Sequence, residues 1–148
     1  MSLSDKLQED MKLALKSKDE LRLSTIRLLR SSVSYAQIEK GDQLTDDEVI
    51  EVITRAAKQR RESIEMAERA GRTEVAQREK AELDIIQEYL PEQLGEAEIE
   101  AIVKEIVTQT GAAGIKDRGK VMGPLMQRIK GRADGRLANQ VVERVLGA

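Results

Sequence analysis

The chain has 148 residues, with 25 Lys or Arg against 27 Asp or Glu and a formal charge of −2, and it contains no Cys, His, Phe or Trp. These absences exclude disulfides, thiolate chemistry and Cys-ligated zinc, and they remove the usual general base and the commonest transition-metal ligand. Tyr35 and Tyr89 are the only aromatics, so any core must be built from Leu, Ile, Val, Met and Ala, in one domain or two small ones. The N-terminus Met1-Ser2-Leu3-Ser4-Asp5-Lys6 lacks the continuous apolar stretch of a secretory signal. No apolar run approaches the roughly 20 residues needed to span a bilayer. A soluble cytoplasmic protein that makes no use of the membrane is expected.

The apolar spacing is helical almost throughout. Leu3, Leu7, Met11 and Leu15 (or Ala14) make a first amphipathic helix. Asp19 can cap a second, with Leu23, Ile26, Leu29 and Val33 on one face, ending at Gly41-Asp42. Thr45-Asp46-Asp47-Glu48 has the pattern of a capping box, in which the Thr hydroxyl and the Glu carboxylate satisfy free N–H groups at a helix start. The third helix then carries Val49, Ile50, Val52, Ile53, Ala56, Ala57, Ile64 and Ala67 and stops at Gly71.

A fourth helix is expected from Thr73, with Val75, Leu83, Ile86 and Leu90 buried. Its first half is thin in large apolar residues, so it is expected to project beyond the core there. Pro91 cannot extend it, which makes 91–95 the linker between an N-terminal helical domain, residues 1–92, and a C-terminal one, residues 93–148. Beyond the linker, Ile99, Ile102, Val103, Ile106 and Val107 mark a fifth helix ending at Gly111. Val121, Met122, Leu125, Met126 and Ile129 mark a sixth, and Leu137, Val141, Val142 and Val145 a seventh, capped by Asp134. Pro124 is tolerated if the sixth helix starts near Lys120, because N–H groups of the first turn have no intrahelical partner. The alternative is a bend at Gly123-Pro124.

Charge is unevenly distributed. Residues 114–148 hold eight Lys or Arg against Asp117, Asp134 and Glu143, a balance of +5 that leaves −7 for the rest. Such asymmetry suggests a surface that meets a polyanion. On a continuous helix Lys116, Lys120, Arg128 and Arg132 would form a slowly drifting row, while Lys130, Arg132 and Arg136 surround the Gly131 and Asp134-Gly135 turns. Phosphate contacts there would gain from free N–H groups at the start of the last helix. The candidate RNA-binding residues are therefore Lys120, Arg128, Lys130, Gly131, Arg132 and Arg136. The tail has no aromatic residue, so binding would rest on RNA shape and backbone charge. An ordinary solvated basic face, paired with the acidic N-terminal part, is the competing reading.

Other constellations carry less. Gly119, Gly123, Gly131 and Gly135 fit neither the Walker nor the dinucleotide spacing and suit turns, helix ends or close helix contact. Met122 and Met126, four residues apart, are read as core filling. Lys58–Glu62 and Arg61–Glu65 are i,i+4 pairs of an exposed, salt-bridged helix. Glu79 and Glu82 lack the Glu-x-x-His pattern of a di-iron bundle, and Ser24, Ser31, Ser32, Ser34 and Ser63 lack an activating base. No catalytic residue, cofactor or metal is expected.

Several segments together resemble the YqeY family from end to end: Leu44-Thr45-Asp46-Asp47-Glu48-Val49, Lys58-Gln59-Arg60-Arg61-Glu62-Ser63-Ile64, Tyr89-Leu90-Pro91-Glu92-Gln93-Leu94 and Gly119-Lys120-Val121-Met122-Gly123, with Leu125-Met126 and Lys130-Gly131-Arg132-Ala133-Asp134-Gly135. The tail is also similar to the C-terminal domain of the B subunit of the aspartyl/glutamyl-tRNA amidotransferase (GatB), through Gly123, Met126, Lys130-Gly131-Arg132-Ala133 and the Asn139 region. Arg118 and Pro124 depart from the pattern, standing where an apolar residue and a small helix former are usual. The resemblance implies an all-α fold, an N-terminal helical bundle followed by a small helical domain, and a tail that helps to hold tRNA. It also implies a possible label of carbon–nitrogen ligase with glutamine as amido donor, although the parts of the amidotransferase that do this chemistry are absent from the chain. A tRNA- or RNA-binding accessory protein is the expected function. A protein-interaction module and an amidotransferase-like enzyme are the alternatives.

Overall fold

The computed structural model describes residues 1–147. Among them every regular element is helical, in agreement with the all-α expectation: α1 (Leu3–Lys16), α2 (Glu20–Lys40), α3 (Asp46–Arg69), α4 (Thr73–Gln87), α5 (Glu96–Thr110), a 3-10 turn (Ile115–Asp117), α6 (Arg118–Ile129) and α7 (Gly135–Gly147). The chain divides into two compact units, Met1–Pro91 and Glu92–Ala148.

The first unit packs α1, α2, α3 and α4 around Leu7, Ile26, Leu29, Val49, Ile53 and Ile86, each fully buried. Its helix starts are fixed by side chains. The Ser2 hydroxyl accepts from the Asp5 N–H, and the Asp19 carboxylate accepts from the Arg22 N–H. Thr45 and Glu48 form the complete capping box, with Glu48 also 2.6 Å from Lys40. At the end of the α1 stripe Ala14 is buried and Leu15 is 56% exposed. Tyr89 closes the core just beyond α4. Its hydroxyl donates to Asp10 at 2.6 Å, and burial first, then this hydrogen bond, pushes its ionisation well above the ordinary range.

Two expectations in this unit need correction. Val75 is 45% exposed, and Ala76 faces inward in its place. Ile64, Ala67 and Ala76 are buried there outside the main core cluster, so small residues seal the outer half of the α3–α4 hairpin. Nor do Lys58 and Glu62 pair along α3. The ion pairs cross the hairpin: Arg60 lies 3.1 Å from Glu82 and 3.6 Å from Glu79, whose carboxylate also accepts from Ser63 at 2.7 Å. Cross-helix burial selects Arg60 for this role, which spacing along one helix cannot show.

After Gln87 the last turn of α4 tightens into i→i−3 hydrogen bonds from Glu88, Tyr89 and Leu90, and Pro91 follows. The second unit is a three-helix bundle. Ile99, Val103 and Ile106 of α5 meet Val121, Leu125 and Ile129 of α6 and Ala138, Val141, Val142 and Leu146 of α7. Leu137 and Val145, expected as core, are only half-buried. Met126 is partly exposed, so of the methionine pair only Met122 packs against the core.

The start of α6 differs from expectation. The Asp117 carboxylate accepts from the Ala113 N–H at 2.9 Å, and the Asp117 N–H donates to Gly114. These bonds wind the chain into the 3-10 turn and start the helix at Arg118, so Pro124 falls inside it. Gly119 and Gly123 share that helix with open space around the position of a Cβ, so neither serves a close helix contact. α6 therefore owes its existence to Val121, Leu125 and Ile129 packing inward, since Gly and Pro both disfavour a helix interior.

Substitution of Pro124 by Ala restores an N–H able to bond the Lys120 carbonyl. It should stabilise the second unit by about 2 kcal/mol, the helix-interior cost of Pro reduced by the greater freedom of the unfolded chain. Urea unfolding followed by NMR signals of α6 measures this, and an unchanged or lowered midpoint would count against an interior Pro124.

Candidate functional site

The basic residues singled out from the sequence belong to the second unit, where α6 ends at Ile129 and α7 begins at Gly135. Gly131 supplies the left-handed residue of the connecting loop, with φ of 74°, a conformation that a side chain would strain. The Arg132 N–H returns to the Ile129 carbonyl at 2.7 Å and closes the turn.

Residues 92–94 hold this loop from the other side. The Leu94 N–H donates to the Arg132 carbonyl at 2.7 Å, and the Gln93 amide donates to the Gly131 carbonyl at 2.9 Å. The Arg132 Nε reaches the Glu92 carbonyl at a long 3.4 Å. Gly131 is buried by these contacts, while Lys130 and Arg136 remain exposed and Arg132 half-exposed. Three cationic residues are thus carried by a loop whose backbone is fixed.

Asp134 starts α7 as expected. Its carboxylate accepts from the Arg136 N–H at 3.2 Å, and its carbonyl accepts from the Ala138 N–H. This cap changes the expected chemistry. An anion at the N-terminus of α7 would share that end with the chain's own carboxylate, so phosphate recognition there must come from side chains.

Lys120 and Arg128 lie on α6, and each has an acidic neighbour. Lys120 is 3.6 Å from Asp117, and Arg128 is 3.2 Å from Glu105 of α5. Both cations are exposed. Lys116 sits in the 3-10 turn and Arg132 beyond Gly131, so the row proposed for a continuous helix is broken at both ends. The structure therefore brings Lys130, Gly131, Arg132 and Arg136 into one loop and leaves Lys120 and Arg128 on the preceding helix.

Two other tail cations are engaged within the unit. Arg118, the departure from the family pattern, bonds the Asn139 amide oxygen and lies 3.1 Å from Glu143, tying the start of α6 to α7. Arg144 reaches Glu96 and Glu100 of α5. Residues 92–148 contain nine Lys or Arg and eight Asp or Glu, a balance of +1. The basic tail thus folds against an acidic helix of its own unit, which linear charge counting from residue 114 left out.

Among the described residues no group of three or more His, Cys, Asp or Glu side chains is placed to hold a metal. No described helix is long and apolar enough to cross a membrane.

Residues 4–146 match the family described as Yqey-like protein. The chain belongs to the YqeY family. It is 34% identical over 146 residues to altered inheritance of mitochondria protein 41, mitochondrial, from Pyrenophora tritici-repentis, an alignment covering 97% of this chain and 80% of the relative. The protein of the same name from Lachancea thermotolerans is 34% identical over 106 residues, 70% of this chain and 57% of that one. A glutamyl-tRNA(Gln) amidotransferase subunit from Thermococcus sibiricus is 36% identical over 70 residues, 45% of this chain but 11% of the subunit. This last likeness supports the resemblance to the amidotransferase tail and leaves most of that subunit unmatched.

Asp117 provides a test of how the chain enters α6. Its hydrogen bond from the Ala113 N–H, and then the nearby Lys120 charge, hold its carboxyl below the ordinary 3.8. A depressed value in the folded chain means that the stabilising contact is present above the ordinary value and is lost as pH falls through the lowered one. NMR titration should place Asp117 below 3.8, with the Ala113 amide proton following the same transition. Asp117→Asn should abolish that coupled shift. An Ala113 signal indifferent to Asp117 would remove this account of the start of α6.

Proposed function

We propose that this YqeY-family chain is an RNA-binding accessory protein, with tRNA as the favoured ligand. In this reading the second unit grips the sugar–phosphate backbone through Lys130, Arg132 and Arg136 of the loop and through Lys120 and Arg128 of α6. The observation that carries it is the likeness to a subunit of a tRNA-dependent amidotransferase. The fixed loop supports it, because cations on an ordered backbone lose less freedom when they bind.

The neighbouring carboxylates do not oppose this reading. Exposed ion pairs contribute about 0–1 kcal/mol, so Arg128 can leave Glu105 and Lys120 can leave Asp117 for a phosphate at small cost. With no aromatic residue in the second unit, base stacking is unavailable there and the backbone must supply the contacts. The reading needs a compartment that holds tRNA. Both the cytoplasm expected from the sequence and the mitochondrion named in the fungal relatives meet that need. Gly131 acts by shaping the loop.

A tRNA titration at two salt concentrations tests the proposal. Five phosphate contacts should weaken binding on the order of 10²-fold or more between 50 and 200 mM salt, through counterion release. Replacing Lys130, Arg132 and Arg136 together by Ala should weaken it by a further factor of about 10², each lost charge-assisted contact being worth about 1 kcal/mol. A chain ending at Glu92 should lose binding altogether. Unchanged affinity in the triple variant would overturn the site, and no binding by the full chain at low salt would overturn the function.

A further inference from the structure

The first unit carries a surface that the RNA reading leaves unused. α2 buries Ile26, Leu29 and Val33 on one side, yet it also exposes Leu28, Tyr35 and Ile38, the last two at 66% and 78%. At about 100° per residue these three fall within one third of the helix circumference, turned away from the core stripe. Singly exposed apolar residues are ordinary, but a stripe along one face is a mark of docking.

Beside this stripe α2 and α3 enclose a groove of about 520 Å³. Tyr35, Ala36 and Glu39 line it from α2, and Val52, Arg55 and Ala56 from α3. It continues into a second depression that reaches Leu44, Glu48 and Glu51 and shares Ala36, Glu39, Val52 and Arg55 with the first. Val52, Arg55, Ala56 and Gln59 along α3 follow the i, i+3, i+4, i+7 spacing of one helix face. The floor of Ala36, Val52 and Ala56 is small enough to let another helix approach closely. This is the shape of a helix-in-groove site.

Charge selects the occupant. From Glu39 to Glu51 the chain places Glu39, Asp42, Asp46, Asp47, Glu48 and Glu51 at this corner against Lys40 alone, and Lys40 is already 2.6 Å from Glu48. Such a rim repels a nucleic-acid backbone or an acidic peptide and attracts cations. The geometry points to the α2–α3 groove as a docking site for a cationic amphipathic helix of a partner protein, with its apolar face on Tyr35, Ile38, Val52 and Ala56 and its Lys or Arg side chains over Glu39, Glu48 and Glu51.

The test uses the full chain, isotope-labelled for NMR, and an 18-residue amphipathic helical peptide of Leu and Lys, beside the same peptide with Glu for every Lys. The Lys peptide should shift the amide signals of Tyr35, Ala36, Val52 and Ala56 and bind at least tenfold more tightly than the Glu peptide. Glu39→Lys with Glu51→Lys should remove that preference, and Tyr35→Ala, at an exposed position, should weaken the Lys peptide severalfold. Affinity of the charge-reversed chain for tRNA should not fall, which separates this surface from the loop of the second unit. Equal affinity for the two peptides, or shifts spread outside α2 and α3, would overturn the proposal. So would self-association in sedimentation that Tyr35→Ala abolishes, since the occupant would then be a second copy of the chain.

Discussion

The candidate RNA site depends on the hydrogen bond from the Leu94 N–H to the Arg132 carbonyl. Pro91 stops α4 and puts the chain into an extended segment whose backbone groups need partners outside a helix. Leu94 and the Gln93 side chain find them on the carbonyls of Arg132 and Gly131. Gly131 can offer its carbonyl in that direction because it adopts a left-handed conformation. Residues 92–94 thus act as a brace for a loop nearly forty positions later in the chain. The arrangement of Lys130, Arg132 and Arg136 is set by backbone hydrogen bonds as much as by the basic residues themselves.

Local charge matters more here than net charge. Residues 114–148 are strongly basic, but the unit they fold into is close to neutral because α5 contributes Glu96, Glu98, Glu100 and Glu105. Arg128 and Arg144 lie against that acidic helix, and Arg118 is taken up by Glu143 and Asn139. Interactions between exposed charges fade beyond a Debye length of about 8 Å at physiological ionic strength. A ligand at the loop therefore senses the loop cations more strongly than acids on the far side of the bundle. Such a charge distribution suits a contact that is salt-sensitive and geometrically selective.

Much of the fold was legible because its signals are local. The helix period, the capping box at Thr45, the stops at Gly41 and Gly111, the Asp134 cap and the break at Pro91 each involve a few neighbouring residues. What could not be read depends on partners distant in sequence. Ala76 displaces Val75 from the interior because the α3–α4 interface admits only a small residue there. Arg60 pairs with Glu79 and Glu82 because two helices meet. Pro124 sits inside α6 because the Asp117–Ala113 bond starts the helix early. Lys18 adopts a positive φ of 59° between α1 and α2, a position where no glycine gave warning. Within the candidate site the cations and Gly131 were visible, whereas the brace from residues 92–94 and the acidic counterface of α5 were not.

The two surfaces are chemically incompatible with one ligand. The loop of the second unit offers cations on a fixed backbone, with no aromatic side chain for a base to stack on. The α2–α3 groove offers an apolar floor and an aromatic wall under an acidic rim. A polyanion drawn to the loop is repelled by that rim, and an amphipathic cation suited to the groove meets like charge at the loop. Neither surface contains an activated nucleophile or a cluster of His, Cys, Asp or Glu ligands among the described residues. On the proposed readings the chain is best understood as an adaptor, in which one unit recognises RNA and the other a protein. Such a molecule works by joining its ligands, and that requires only that each surface reject the other's partner.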